Sequence, residues 1–183
     1  MGTISTRLGL VAALATLATG ALAGAASAQA VTIVDGPDAS GSLGDIQAVT
    51  INHRAHRVVV TTEVADLRRT STGGPSGLNI WLDTDRSNAG PEYVFRTGLQ
   101  EGQDYTLMRT DGWRPTGDPL TCDHRATFDW AADTVRFGVA RRCLGRPDEV
   151  RVAERMRDEW DASHVITDWL KGTRHLTRWV AHA

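Results

Sequence analysis

The chain has 183 residues, with 20 basic and 22 acidic side chains and a net charge of −2. That near-neutral balance excludes electrostatic attraction to nucleic acid or to an anionic membrane surface as the organising property. The length supports one domain with a real core.

The first thirty residues read as an export signal. Arg7 supplies a short positive start, LGLVAALATLATGAL (8–22) is apolar and small, and AGAASAQA closes with alternating small residues. Cleavage after Ala28 and cleavage after Ala30 both fit. The apolar run falls short of the ~20 residues that a membrane span needs, and no basic stop-transfer flank follows. The expectation is a signal peptide over 1–30, a single secreted domain over 31–183, and no transmembrane anchor. Removing Arg7 leaves 19 basic and 22 acidic side chains, a net charge of −3.

In chain order, Val31–Val34 is a short β-branched run, and DGPDASGSLGD (35–45) reads as a turn or loop. DIQAVTIN (45–52) alternates like a strand, with Val49 and Ile51 on the side opposite Ile46. RVVVTTEV (57–64) is the clearest strand, nearly all β-branched. His53 to His56 joins the two as a hairpin loop, which predicts exposed histidines. After GGPSG, Leu78–Asp83 and Glu92–Thr97 form two strands around a polar loop. DYTLMR (104–109) follows. WRPTGDPL (113–120) has two prolines and reads as a loop, or at most a short edge segment. RATFDW (125–130) and TVRFGVAR (134–141) form a further pair, the second with Val135, Phe137 and Val139 on one face. Residues 148–160 suit a helix, with good propensity and an acidic first turn, and equally suit a strand through Val150 and Val152. Trp169 and Trp179 are expected to pack the tail onto the domain.

Seven to nine short strands at spacings of roughly ten residues, with no helices between them, predict an antiparallel β-sandwich with a docked tail or short C-terminal helix. Cys122 and Cys143 flank one hairpin. In an exported chain their even count predicts a disulfide tying the hairpin's open ends, worth about 3 kcal/mol on chain-entropy grounds.

The densest chemistry lies in LNIWLDTDRSNAGPEYVF (78–95). Asp83 and Asp85 leave the end of a strand two residues apart, and Asn88 and Glu92 can close on them. Calcium takes six to eight oxygens, so these four side chains with loop carbonyls are a candidate calcium set. The competing reading is that Asp83 and Asn88 cap a turn through backbone N–H groups. Asp83, Asp85 and Glu92 also offer the paired carboxylates of a small hydrolase, although Asp85 in a Ser/Asn/Gly loop lacks the burial that a general acid needs. Asp123 beside His124 is a second hydrolytic candidate. Trp81 and Trp113 border the loop as candidate aromatic platforms for a sugar, or as core.

The segments DIQAVTINHRAHRVVVTTEVADL, IWLDTDRSNAGPEYVF and YTLMRTDGW, with Cys122 and RRCLG, resemble a group of small secreted actinobacterial proteins. In that group an export signal precedes one β-rich domain of unassigned activity. The order of elements is also loosely similar to family 9 carbohydrate-binding modules, which are calcium-containing β-sandwiches. That resemblance implies a non-enzymatic domain binding a glycan or a cell-envelope component. It makes Asp83, Asp85 and Glu92 candidate calcium or ligand residues and Trp81 or Trp113 the platform, and it favours a strand near 149–157. It does not extend to a matched two-tryptophan sugar clamp. Besides the hydrolase, a purely structural or protein-interaction domain without a small ligand remains the alternative.

Overall fold

The computed structural model describes residues 1–2, 29–39, 42–159 and 164–183. Most of the expected signal segment, and Trp160 of the ambiguous C-terminal stretch, lie outside them. Twelve strands are described: β1 (Gln29–Val34), β2 (Ile46–His53), β3 (Arg57–Val64), β4 (Ser76–Asp83), β5 (Tyr93–Gly98), β6 (Tyr105–Asp111), β7 (Arg114–Thr116), β8 (His124–Asp129), β9 (Thr134–Ala140), β10 (Glu149–Asp158), β11 (Ile166–Trp169) and β12 (Val180–Ala181). They form two antiparallel sheets. One has the order β1-β2-β3-β9-β8, and the other β11-β10-β4-β5-β6-β7 with β12 also on β10. This is the β-sandwich that the strand spacing predicts.

The count exceeds seven to nine because three very short strands carry little local signal. β7 is three residues around Pro115, tolerable at the sheet edge because proline there withholds no ladder donor. β11 and β12 pair with the two ends of β10. Between them Leu170 N donates to Glu154 O, and Thr177 N donates to Val152 O, while Thr177 Oγ1 accepts from Val152 N. The tail thus covers an edge that would otherwise expose a row of unpaired backbone groups. That explains why residues 149–158 are a strand despite good helix propensity. Val150, Val152 and Met156 alternate into the core, while β4 holds the other edge.

One core fills the space between the sheets. Val58 and Val60 of β3 and Val135, Phe137 and Val139 of β9 meet Leu78, Ile80 and Leu82 of β4 and Phe95 of β5. Phe95 and Phe137 stack across the gap, ring centroids 4.2 Å apart. Cys122 and Cys143 are disulfide-bonded with Cα atoms 5.9 Å apart, closing the open end of the β8–β9 hairpin.

Two details depart from simple alternation. A register shift between Ile46 and Ala48 puts an extra residue into β2, so that Ile46 and Val49 are both buried. His53, expected to be exposed, is fully buried. It has the parity of Val49 and Ile51, and the C-terminal tail docks over it. Its Nδ1 lies 3.0 Å from Val180 O, and burial lowers its pKa, so a neutral ring donates Nδ1–H to that carbonyl.

Candidate functional site

The loop between β4 and β5 gathers the expected acids, but each is already engaged. Asp83 is fully buried at the end of β4, opposite Arg151 of β10. Its Oδ2 accepts from Arg151 Nε at 2.8 Å and Nη2 at 2.7 Å. Burial raises its pKa, and the guanidinium opposes that rise. Asp85 is exposed and caps the turn, accepting from Ser87 N at 2.9 Å and Ser87 Oγ at 2.6 Å, which lowers its pKa. Glu92 Oε2 accepts from Thr84 N at 2.6 Å, and Oε1 accepts from Asn88 Nδ2 at 2.9 Å. The loop is also latched to the tail. Arg86 pairs with Glu149, and the guanidinium groups of Arg86 and Arg151 both lie over the Trp179 ring, at 4.7 and 4.5 Å.

A different acidic group forms where the loop after β1 meets β11. Carboxylate oxygens of Asp35, Asp38 and Asp168 all lie within 4.8 Å of one another, close enough for one divalent cation. Among the described residues this is the group of three acidic side chains so placed. Asp35 accepts from Lys171 N at 3.0 Å, with Lys171 Nζ at 3.5 Å. Asp168 is buried and accepts from Ile46 N at 2.6 Å. Burial first, then the charges of Asp38, Asp45 and Asp35, push Asp168 up to about 6. Asp45, also buried, accepts from Asp38 N and Ala39 N at 3.2 and 2.7 Å, which shapes the loop that carries Asp38. Lys171 is thus the cation paired within a group of four carboxylates. The DGPD and LGD pieces hint at this corner, but Asp168 arrives from more than 120 residues away, a proximity no local pattern reveals.

The aromatic candidates lie on the outer face of the second sheet. Trp81, Val94 and Ala153 form a small buried cluster separate from the core, and Met108, Trp113, Trp169 and Leu176 pack against it. Trp81 is 5 % exposed and forms the base. Trp169 stacks on it with centroids 5.2 Å apart, and Trp113 leans in at 5.5 Å, both half-buried. Trp113 sits in the two-residue turn between β6 and β7, where Gly112 adopts φ +57° as such tight hairpins require. A Cβ on Gly90 would lie 3.3 Å from Gly112 Cα, so the acidic loop and the Trp113 turn approach backbone to backbone. Local sequence marks Trp81 and Trp113; that Trp169 shares their cluster follows only from the pairing of β11 with β10.

The histidine candidates are separate. His124 Nδ1 lies 2.8 Å from Cys122 O, while Asp123 pairs with Arg57 at 2.9 Å.

Comparison with family models, curated proteins and solved structures finds no match to this chain. The fold is a two-sheet β-sandwich, and the likeness to family 9 modules carries no residue roles. Among the described residues, no helix is long and apolar enough to cross a membrane.

Proposed function

We propose that this chain is an exported, non-enzymatic binding domain whose ligand face is the outer face of the second sheet, and that its ligand is carbohydrate. One observation carries the reading: three tryptophans gather on a face that an ordinary sandwich leaves to solvent. Two of them, Trp113 and Trp169, are only half-buried, and Trp169 neighbours Arg155 of a nearby cleft. Apolar ring faces with polar groups alongside suit the stacking and orientation of a sugar. The enzymatic alternative draws little support from the β4–β5 loop. Asp83 is held by Arg151, Asp85 is a turn cap in solvent, and Glu92 is occupied by Thr84 and Asn88.

A glycan array followed by calorimetry tests the proposal. Binding should weaken tenfold or more in Trp113→Ala while the melting temperature changes little. Absence of any glycan signal, or wild-type affinity in that variant, would overturn it.

A second reading concerns metal. Asp35, Asp38 and Asp168 bring carboxylate oxygens within 4.8 Å of one another, which suits a hard cation, whereas in the loop Asp83 is paired with Arg151, Asp85 with Ser87 and Glu92 with Thr84 and Asn88. The reading is that calcium binds there and ties the loop after β1 to β11. A calcium-dependent rise in melting temperature, lost in Asp168→Asn, is the expected result.

Export by the N-terminal segment belongs to the same proposal. Cleavage after Ala28 would keep all six β1–β2 ladder pairs, whereas cleavage after Ala30 would remove the pairs of Gln29 and Ala30. N-terminal sequencing of the exported protein should start at Gln29.

A further inference from the structure

The register of the second sheet aligns a row of side chains across its outer face. Trp169, Arg155, Asn79, Arg96 and Thr106 come one from each of five adjacent strands. On one side of this row lies the apolar row of Ala153, Trp81, Val94 and Met108. On the other side Gly77 faces Gly98, with Arg157 opposite Gly77. Neither glycine projects a side chain there, and the Gln103 side chain packs over Gly98. A cleft of about 340 Å³ opens there, walled by Arg96, Arg155, Arg157 and Asn79.

The charge in the cleft is unbalanced in a particular way. Arg157 pairs with Glu159 at 2.9 Å, and Asp104 lines one rim. Neither Arg96 nor Arg155 has a carboxylate partner among the described residues. Arg155 lies over the rings of Trp81 and Trp169, at 5.4 and 5.6 Å. Its Nη2 donates to the Asn79 amide oxygen at 2.7 Å when that amide is turned to also donate to Leu78 O. Its Nε is buried with no acceptor, and so is Trp81 Nε1 in the adjoining row. Burial first, then the neighbouring charges of Arg157, Arg96 and Arg174, lower the Arg155 pKa. Buried donors without acceptors are costly, and two arginines without carboxylate partners, Arg96 and Arg155, suit anionic oxygens.

We propose that this cleft seats the anionic group of an acidic glycan, a uronate carboxylate or a sugar phosphate, between Arg96 and Arg155, with the adjoining sugar ring against Trp169. The proposal rests on the carbohydrate reading and adds the charge of the ligand. Arg96 and Arg155 flank Asn79 directly, so one anionic group can meet both guanidinium groups while Asn79 takes a neighbouring hydroxyl. The outer face of the first sheet also has a cleft with arginines, Arg54, Arg57, Arg125 and Arg136. There Arg57 is taken by Asp123 and Gly138 O, and the lining has no tryptophan, tyrosine or phenylalanine, so that face serves as the internal control.

Isothermal titration calorimetry would compare an oligouronate, its neutral methyl ester and a sugar-phosphate oligomer, at low and high salt. At least one of the two anionic oligomers should bind, at least tenfold tighter than the ester. Arg96→Gln should weaken that binding tenfold or more, while Arg136→Gln leaves it unchanged. The Arg96 side chain is exposed, so its loss tests recognition without disturbing the packing that Arg155 makes over the tryptophans. Equal affinity for the ester, an unchanged Arg96→Gln, or no binding of either anionic oligomer would overturn the inference. Neutral glycan binding that is lost in Trp113→Ala and kept in Arg96→Gln would sink this inference and leave the carbohydrate reading standing. Loss of all glycan binding would remove both.

Discussion

The β4–β5 loop and the corner of Asp35, Asp38, Asp45 and Asp168 both collect carboxylates at the ends of strands, and the chain treats them in opposite ways. In the loop each acid meets a donor from nearby: Arg151 for Asp83, Ser87 for Asp85, Thr84 and Asn88 for Glu92. At the corner, acids from three separate segments converge, with Lys171 paired to Asp35. The pKa shifts follow burial in both places, and Asp83 in the loop is raised by it. Asp85 is lowered by its hydrogen bonds, whereas Asp168 is pushed up to about 6 by burial and like charge. Acid density in a sequence is therefore a poor guide to a cation site, because what matters is whether carboxylates from separate segments converge after folding.

A third carboxylate gives the comparison its extreme. Glu154 is fully buried between the sheets, held by Thr62 Oγ1 at 2.7 Å, with its Oε1 unpartnered. Burial raises its pKa to about 8, against which the Thr62 hydrogen bond works. Protonated in the fold and ionised in the unfolded chain, it contributes stability that is complete below the ordinary glutamate value of 4.5 and lost as pH rises through about 8. The loss should reach several kcal/mol, the largest effect expected here. Chemical denaturation of wild type and Glu154→Gln between pH 5 and 9 would measure it. A slope equally steep in the variant would assign the pH dependence elsewhere.

Next in size is the answered pair in the loop. Asp83→Ala should cost about 2–3 kcal/mol, because Arg151 is left partly buried with a charge and no partner. The loss should be the same with calcium or with a chelator. If calcium alone restored the difference, the loop rather than the corner would be the metal site.

Asp168→Asn should act in the opposite direction. It keeps an acceptor for Ile46 N while removing a charge that the corner disfavours. With a raised folded pKa, the Asp168 contribution is complete below 3.8 and lost as pH rises through about 6. Calcium-free wild type should therefore melt lower at pH 7.5 than at pH 5. The variant should gain about 2 kcal/mol at pH 7.5 and lose its response to calcium. A variant less stable than wild type without calcium would mean that repulsion is not what this corner stores. Asp85→Ala should give the smallest change, within the error of a melting curve, since that side chain only caps an exposed turn.

Much of the architecture was legible locally. Val135, Phe137 and Val139 alternate with Arg136, Gly138 and Ala140, and residues 57–64 are nearly all β-branched, so both runs were readable as strands. The cysteines flanking one hairpin were readable as its tie for the same reason: neighbouring strands bring their ends within disulfide reach. Residues 149–158 were ambiguous because propensity and alternation disagreed, and pairing with β4 decided the matter. The sequence alone therefore determined the all-β class, most strand positions and the disulfide, since each depends on contacts between residues close along the chain. Tertiary structure alone decided which acids converge, that His53 is buried beneath the tail, and that Trp169, Arg155, Asn79 and Arg96 share one row. Those facts depend on which strands become neighbours and in what register, and one residue of slip would send each side chain to the opposite face.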